Sequence, residues 1–425
     1  MNPSKKIPAG SLQFVVMIAA VIALLLGALI LLTYVHSYFK KQSNLAIETV
    51  RAADRGFDTL LSKDIPENRP VDFQDAIEPS IDLTAVKDRW GVFERIQISA
   101  THQNKRFEKT ALVSGIQTPV QRLSLYLKDN GSPLVLVGNA KIVGNIFLPR
   151  SGVKPGNIAG TSFYGGQLLN GRSFQSEEEL PKLENGLQNH LESIARTHPI
   201  ENMEFAQSGP NAPLFQSFLD PAVQVYDSGT IRLSGLELSG HILVKSKTKI
   251  IVDASTQLQD VLLIAPEVEI KSGFSGNIQV IAQKRVGIGE HVSLNYPSAV
   301  VVVNKKRNPI QSTAKDNEPA ILLSKGSKVY GPMLFLGNDT GNTFFPQVVL
   351  EDNSRLYGEL YCEQNLELRG EVYGSAYVGN LIVQEAGSIY RNHLYNGIID
   401  TSKLPESYAG HIVNSEEKTI VQWLY

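Results

Sequence analysis

Two kinds of hydrophobic pattern divide this chain. The first is an unbroken run of 24 uncharged residues, Leu12 to Val35, between Lys5-Lys6 and Lys40-Lys41. No polar face interrupts it, so it does not read as the amphipathic helix of a globular domain. At about 1.5 Å per residue it spans roughly 36 Å, more than a hydrocarbon core of about 30 Å. The apolar region of a cleavable signal peptide is only about 7–15 residues long and ends at small residues. Here the run passes into Tyr34-Val35-His36-Ser37-Tyr38-Phe39. A retained transmembrane helix is therefore expected over 11–35, with Leu12, Phe14, Val15, Leu24, Leu25, Leu26, Leu31 and Leu32 among its anchoring residues. Two lysines flank each side, so charge alone does not orient it. A short tail before a single span most often stays in the cytoplasm. The expectation is residues 1–10 in the cytoplasm, one pass through the cytoplasmic membrane, and a large extracytoplasmic domain.

Behind the anchor the period changes to helical. Ala46, Val50, Ala53, Phe57 and Leu60 follow a 4-3-4-3 spacing, with Glu48, Arg51, Asp54, Arg55 and Asp58 off that stripe. One continuous helix is expected through 36–64, its stripe packing on the chain's own globular part or on a partner helix. Residues 65–80, rich in proline and acids, read as a linker, and 81–175 as the first, β-rich part of a head. In that part Val92–Ser99 and Arg122–Leu127 have strand character. A polar stretch, Glu177–Thr197, suits a helix, and 176–222 as a whole reads as a helical and loop insert.

The second pattern fills 223–405. Apolar runs start at Ile242, Leu262, Ile278 and Val300, separated by 20, 16 and 22 residues. A shorter element recurs at Val329-Tyr330-Gly331, Leu356-Tyr357-Gly358, Val372-Tyr373-Gly374 and Ile389-Tyr390-Arg391, with spacings of 27, 16 and 17. Such periods match coils of a parallel β-helix, in which each coil buries its inward residues only by stacking on its neighbours. Gly240, Gly276, Gly331, Gly358 and Gly374 would turn the corners. Loops would enter at Asn304–Pro319 and Gly337–Asn342. An antiparallel sandwich would instead show alternation and hairpin signals every 8–12 residues. The expected fold class is mostly β: an N-terminal transmembrane helix, then a parallel β-helix with helical and loop inserts, and a tail over 406–425.

Composition adds mainly exclusions. A net charge of −2 gives no electrostatic case for nucleic acid. Cys362, the single cysteine, sits in an apolar run and reads as a buried structural thiol. Lys305-Lys306-Arg307 reads as a solvated loop tip. The eight histidines are scattered without paired metal spacing, His190 and His198 lying eight residues apart, and no P-loop or nucleophile elbow is present. No catalytic residue, metal ligand or cofactor is assigned. Glycoside cleavage needs two carboxylates on one groove. Asp253, Asp260, Glu267, Glu269, Asp339, Glu351 and Asp352 supply candidates, of which Asp339 in the Gly337–Asn342 loop is the least improbable, and a turn residue is its simpler role.

Lys328-Val329-Tyr330-Gly331-Pro332-Met333 and Glu371-Val372-Tyr373-Gly374-Ser375-Ala376 make the stretch Ala320–His393 resemble the bactofilins, polymer-forming β-helical cytoskeletal proteins. The front end is similar to type IV pilins and the pseudopilins of type II secretion. A short basic leader with Lys5 and Lys6 ends at Gly10, and an uninterrupted apolar helix begins at Ser11. The resemblance implies processing between Gly10 and Ser11. Ser11 replaces the usual Phe or Met, and Val15 the usual Glu, as befits a minor, tip-like subunit that carries a large head. An unprocessed signal anchor is the alternative.

The resulting expectation is a non-enzymatic structural or interaction protein of the bacterial envelope, a pilin-like minor component of a type IV filament or type II secretion-like assembly. Its partners would be membrane lipid and either assembly proteins or further copies of itself. The alternatives are a tethered polysaccharide-active β-helix enzyme and a bactofilin-like polymerising scaffold.

Overall fold

The computed structural model describes residues 9–196, 198, 204–205, 213–304, 318–337, 344–413, 415 and 417–424. Lys5, Lys6, Lys305-Lys306-Arg307 and Asp339 lie outside them. The protein is mostly β with one long N-terminal apolar helix. Its contacts divide it into two compact units.

The first unit holds helix α1 (Ala9–Ser62) up to Thr59, together with Val71–Ala85 and Ile98–Glu108. Helix α1 runs 54 residues without a break. Its second half buries Thr49, Ala52, Ala53 and Phe57. Gly56 lies so close to the sheet that an added Cβ would press on Ile98 and Leu83. Residues 65–80 are more ordered than a linker. Val71–Gln74 pairs antiparallel with Asp82–Ala85, and Asp75 is buried. Of the acids that suggested a solvated linker, Glu67 and Asp75 pair with Arg89 and Arg55, and Asp72 and Glu78 accept from Thr84 and Ser80.

In the second unit, Lys109–Ile116 receives Ala409–His411 and Lys418–Leu424 antiparallel. Ala409–His411 and Lys418–Leu424, expected within a tail, are thus strands of a sheet. Most of the rest is a parallel sheet closed on itself, whose pairings run in three ladders. In the first ladder Val225, Val244, Leu263, Val280, Val300, Met333, Leu360 and Ala376 lie in register one above the next. The ladder then continues not into later sequence but back to Leu125 and Ile146. All of these side chains are buried in one continuous apolar column, the Val, Leu, Ile and Met members each contributing about 1.5–3 kcal/mol relative to exposure.

The glycines of these elements sit where neighbouring strands approach closely. Gly240, Gly331, Gly358 and Gly374 have φ of +93°, +140°, +152° and +148°. A Cβ on any of them would overlap the backbone of the preceding coil. Gly276 has no such φ, but a Cβ there would meet Phe274 and the carbonyl of Leu258. The repeat at Ile389-Tyr390-Arg391 is a correction. It folds back antiparallel on Ile382–Glu385 as a hairpin, and the coil above Val372 is completed by Ile399. The Glu177–Thr197 stretch is helical only over α2 (Leu187–Ile194), where Leu187 and Leu191 supply one buried face. The bactofilin-like stretch Ala320–His393 is not a self-contained stack, since strands from 214–304 precede it and strands from 123–175 follow it in the same ladders.

Candidate functional site

The most exposed apolar surface of the protein lies on α1. Leu12, Phe14, Val15, Leu24, Leu25, Leu26, Leu31 and Leu32 are all exposed, from 55% for Leu26 to 74% for Leu24. Monomeric soluble proteins rarely leave a contiguous apolar patch this large uncovered. The segment is long and apolar enough to cross a membrane, and none of its most apolar window is buried. Gly10 and Ser11 lie exposed in the first turn of α1. On the expected stripe, Ala53, Phe57 and Leu60 are buried, whereas Ala46 and Val50 are half-buried. The periodicity missed Thr49, Ala52 and Gly56, because a face two side chains wide replaces a single line.

Polar chemistry concentrates in three interior clusters of the second unit. In the largest, Lys418 Nζ lies 2.7 Å from Glu94 Oε2 and 3.1 Å from Glu184 Oε1. Arg89 reaches both carboxylates at 3.5 and 3.7 Å, and Lys87 stands 3.7 Å from Glu94. Outside this core, Arg89 Nε donates to Glu67 at 2.9 Å and Lys87 pairs with Asp64. Burial opposes the ionisation of Glu94, but Lys418 and Lys87 outweigh it and hold its carboxylate below the usual range. Burial, followed by the charge of Glu94, pushes Glu184 up.

In the second cluster, His241 is sandwiched between Phe218, stacked at 4.7 Å, and Trp90, edge-on at 4.7 Å. Its Nδ1–H donates to the Asp220 carbonyl at 2.9 Å, and Arg95 donates to Nε2 at 3.2 Å. That geometry requires the neutral ring. Burial, then the Arg95 charge, lowers the His241 pKa to about 4. The third cluster joins His411 Nδ1 to Glu359, whose other oxygen accepts the Ile412 N–H at 3.1 Å, while Gln117 contacts His411 Nε2 at 2.7 Å. Both residues are almost wholly buried. The three clusters hold segments far apart in sequence, and their polar atoms face one another.

Among the carboxylates singled out for glycoside chemistry, Glu267 and Glu269 share an outward strand face beside Lys249, Lys271 and Arg285. Glu269 accepts from Lys249 at 2.6 Å and from Lys271. Those bonds lower its pKa to about 2, unsuited to a general acid. Asp260 is held by Asn277 and Gln422, and Glu351 accepts the Lys325 N–H at 3.0 Å. Cys362 is fully buried, with its thiol pushed up to about 12 by desolvation. His190 is lowered to about 4 by burial and by Arg89, and His198 is exposed. No group of three His, Cys, Asp or Glu able to hold a metal occurs among the described residues.

No protein-family model and no curated protein matches the chain. Among solved structures it is similar to the competence-associated pilin ComZ from Thermus thermophilus, with 10% sequence identity over 89% of this chain and 97% of that one. The TM-score is 0.19, too low to assign a shared fold.

Proposed function

We propose that this chain is a non-enzymatic, membrane-anchored structural protein of the bacterial envelope, whose extracytoplasmic part is a parallel β-helix. The observation that carries this reading is the division of labour along α1. Its first half is uncharged and bare, suited to lipid or to the core of a helical assembly, and its second half buries side chains on its own unit. A helix in lipid gains from exposed apolar side chains what a soluble helix would lose. The three parallel ladders support the β-helix, since their registered rungs are what stacked coils produce.

The ionisable clusters support a structural role. Their acids and bases are spent on one another. Within this class, a minor pilin-like subunit of a type IV filament or a type II secretion-like machine fits best. The basic leader ending at Gly10 and the unbroken helix beyond it support that assignment, and Val15 in place of Glu suits a terminal rather than a repeating subunit. The test is N-terminal sequencing of protein recovered from cell membranes. A start at Ser11 is the expected result, and an intact Met1 in all of the recovered protein overturns the pilin-like assignment.

A further inference from the structure

A second ladder runs through Gln257–Gln259, Ser275–Asn277, Ser293–Leu294, Lys328–Tyr330, Arg355–Tyr357 and Glu371–Tyr373, and one of its outward rows has a distinct chemistry. Gln259 and Asn277 are paired in register, as are Tyr330 with Tyr357 and Tyr357 with Tyr373. Asn295 falls between the two sets. It follows Leu294, which pairs with both Gly276 and Val329, and its N–H donates to the Gly276 carbonyl at 2.7 Å. The inward neighbours Leu294, Val329, Leu356 and Val372 are fully buried, so the row itself faces outward. At a rung spacing of about 4.8 Å the six side chains form a line roughly 24 Å long, parallel to the stack.

The row is three carboxamides followed by three phenols. Tyr330 and Tyr357 stack at 4.5 Å with an interplanar angle of 8°, and Tyr373 meets Tyr357 edge-on at 5.1 Å. Over the amide half opens a cleft of about 440 Å³, with Tyr296 on its floor and Val421 and Gln422 on its side. No lining residue is charged. Asp260 sits behind the cleft and holds three of the amides, accepting from Asn277 Nδ2 at 2.8 Å, from Gln422 Nε2 at 3.2 Å and from Gln259. With its N–H committed, Gln422 turns a buried Oε1 that has no hydrogen-bond partner. A buried acceptor left so costs about 1–3 kcal/mol.

We propose that this row is a binding track for an uncharged glycan chain, seated in the cleft at Gln259, Asn277 and Asn295, walled by Gln422, and continued over the tyrosines. Carboxamides donate and accept in one plane, as vicinal sugar hydroxyls require, and Tyr296 offers a ring face to sugar C–H groups. A polyanion finds no cation in the cleft, and an apolar peptide would leave the amides unpaired. The flanking Arg355 and Glu371 neutralise each other at 2.7 Å. A linear polymer suits a linear row, because successive sugars can meet successive rungs. The proposal goes beyond the structural role above and does not depend on the anchor.

The test uses the full chain in a zwitterionic, sugar-free detergent, titrated calorimetrically with chitohexaose, cellohexaose and maltohexaose, and with heparin as a charged control. At least one neutral hexasaccharide should bind. Asn295→Ala and Gln422→Ala should each weaken it at least tenfold, Asn295→Ala with an unchanged melting curve, and Lys249→Ala, on another ladder, should not. Failure of all three neutral probes at millimolar concentration overturns the proposal. So does preferential binding of heparin, or parental affinity in both cleft variants.

Discussion

Arg55 of α1 grips Asp75 with both arms of its guanidinium, Nε to Oδ1 at 3.0 Å and Nη2 to Oδ2 at 2.6 Å. Asp75 is buried and also accepts the Glu78 N–H at 2.8 Å. The hydrogen bond from Arg55 is the main reason its carboxyl stays below the usual range. The fork fixes the rotation of α1 about its axis and thereby which face meets the sheet. Arg55→Ala leaves a buried carboxylate with fewer donors and should cost about 2–3 kcal/mol. Hydrogen exchange should then quicken over residues 46–60 more than in the three ladders, and uniform or unchanged exchange would contradict the role.

The corner glycines give a second expectation. At Gly358 a Cβ would overlap the Gly331 carbonyl and lie 2.6 Å from the Tyr408 hydroxyl, on a backbone at φ +152°. Gly358→Ala should lose roughly 2–4 kcal/mol. Gly287, where a Cβ meets nothing within 4 Å, should accept alanine with little change. Denaturant midpoints of the two variants measure the contrast.

Acid sensitivity should trace to His241. Its folded pKa of about 4 lies below the ordinary 6.5, so between those values the unfolded chain takes up a proton that the folded one refuses. Stability is then full above about pH 6.5 and falls as pH drops towards 4, by about 3 kcal/mol at most. His190, lowered in the same direction, adds to the slope. His241→Gln should flatten the dependence across that window. An unaltered slope in urea titrations would refute the assignment.

Lys418 separates two buried acids. Lys418→Met leaves Glu94 and Glu184 facing each other with less compensation and should cost about 3 kcal/mol at neutral pH. Glu184 is the member whose pKa is raised, so acidification protonates it and removes the repulsion. The gap between variant and parent should therefore narrow towards pH 4–5, measured as the difference in denaturant midpoint. A gap that widens would mean that the two acids do not interact.

Legibility in the sequence followed the range of the interactions. The long apolar half and the amphipathic half of α1 are local patterns, and both are visible in residue spacing. The Val-Tyr-Gly and Leu-Tyr-Gly elements mark paired parallel strands, because these sheet neighbours follow one another in sequence. The return of the ladder from Ala376 to Leu125 is invisible, since nothing near either residue encodes a partner some 250 positions away. The same holds for Thr110 and Leu424 across the antiparallel edge. Ile389-Tyr390-Arg391 shows the converse, a correct local motif placed in a hairpin by Ala386-Gly387, both at positive φ. The amide row escaped notice because Gln259, Asn277 and Asn295 become neighbours only through register.

The central claim is that α1 joins a membrane-embedded half to a half that belongs to the folded domain. It is tested most directly by comparing the full chain with a chain starting at His36, both expressed in a bacterial host. The full chain should remain in membranes through alkaline carbonate extraction. The shortened chain, which keeps Ala53, Phe57 and Arg55, should be soluble, monodisperse and cooperatively folded. Release of the full chain by carbonate, or retention of the shortened chain in the membrane, would contradict the account.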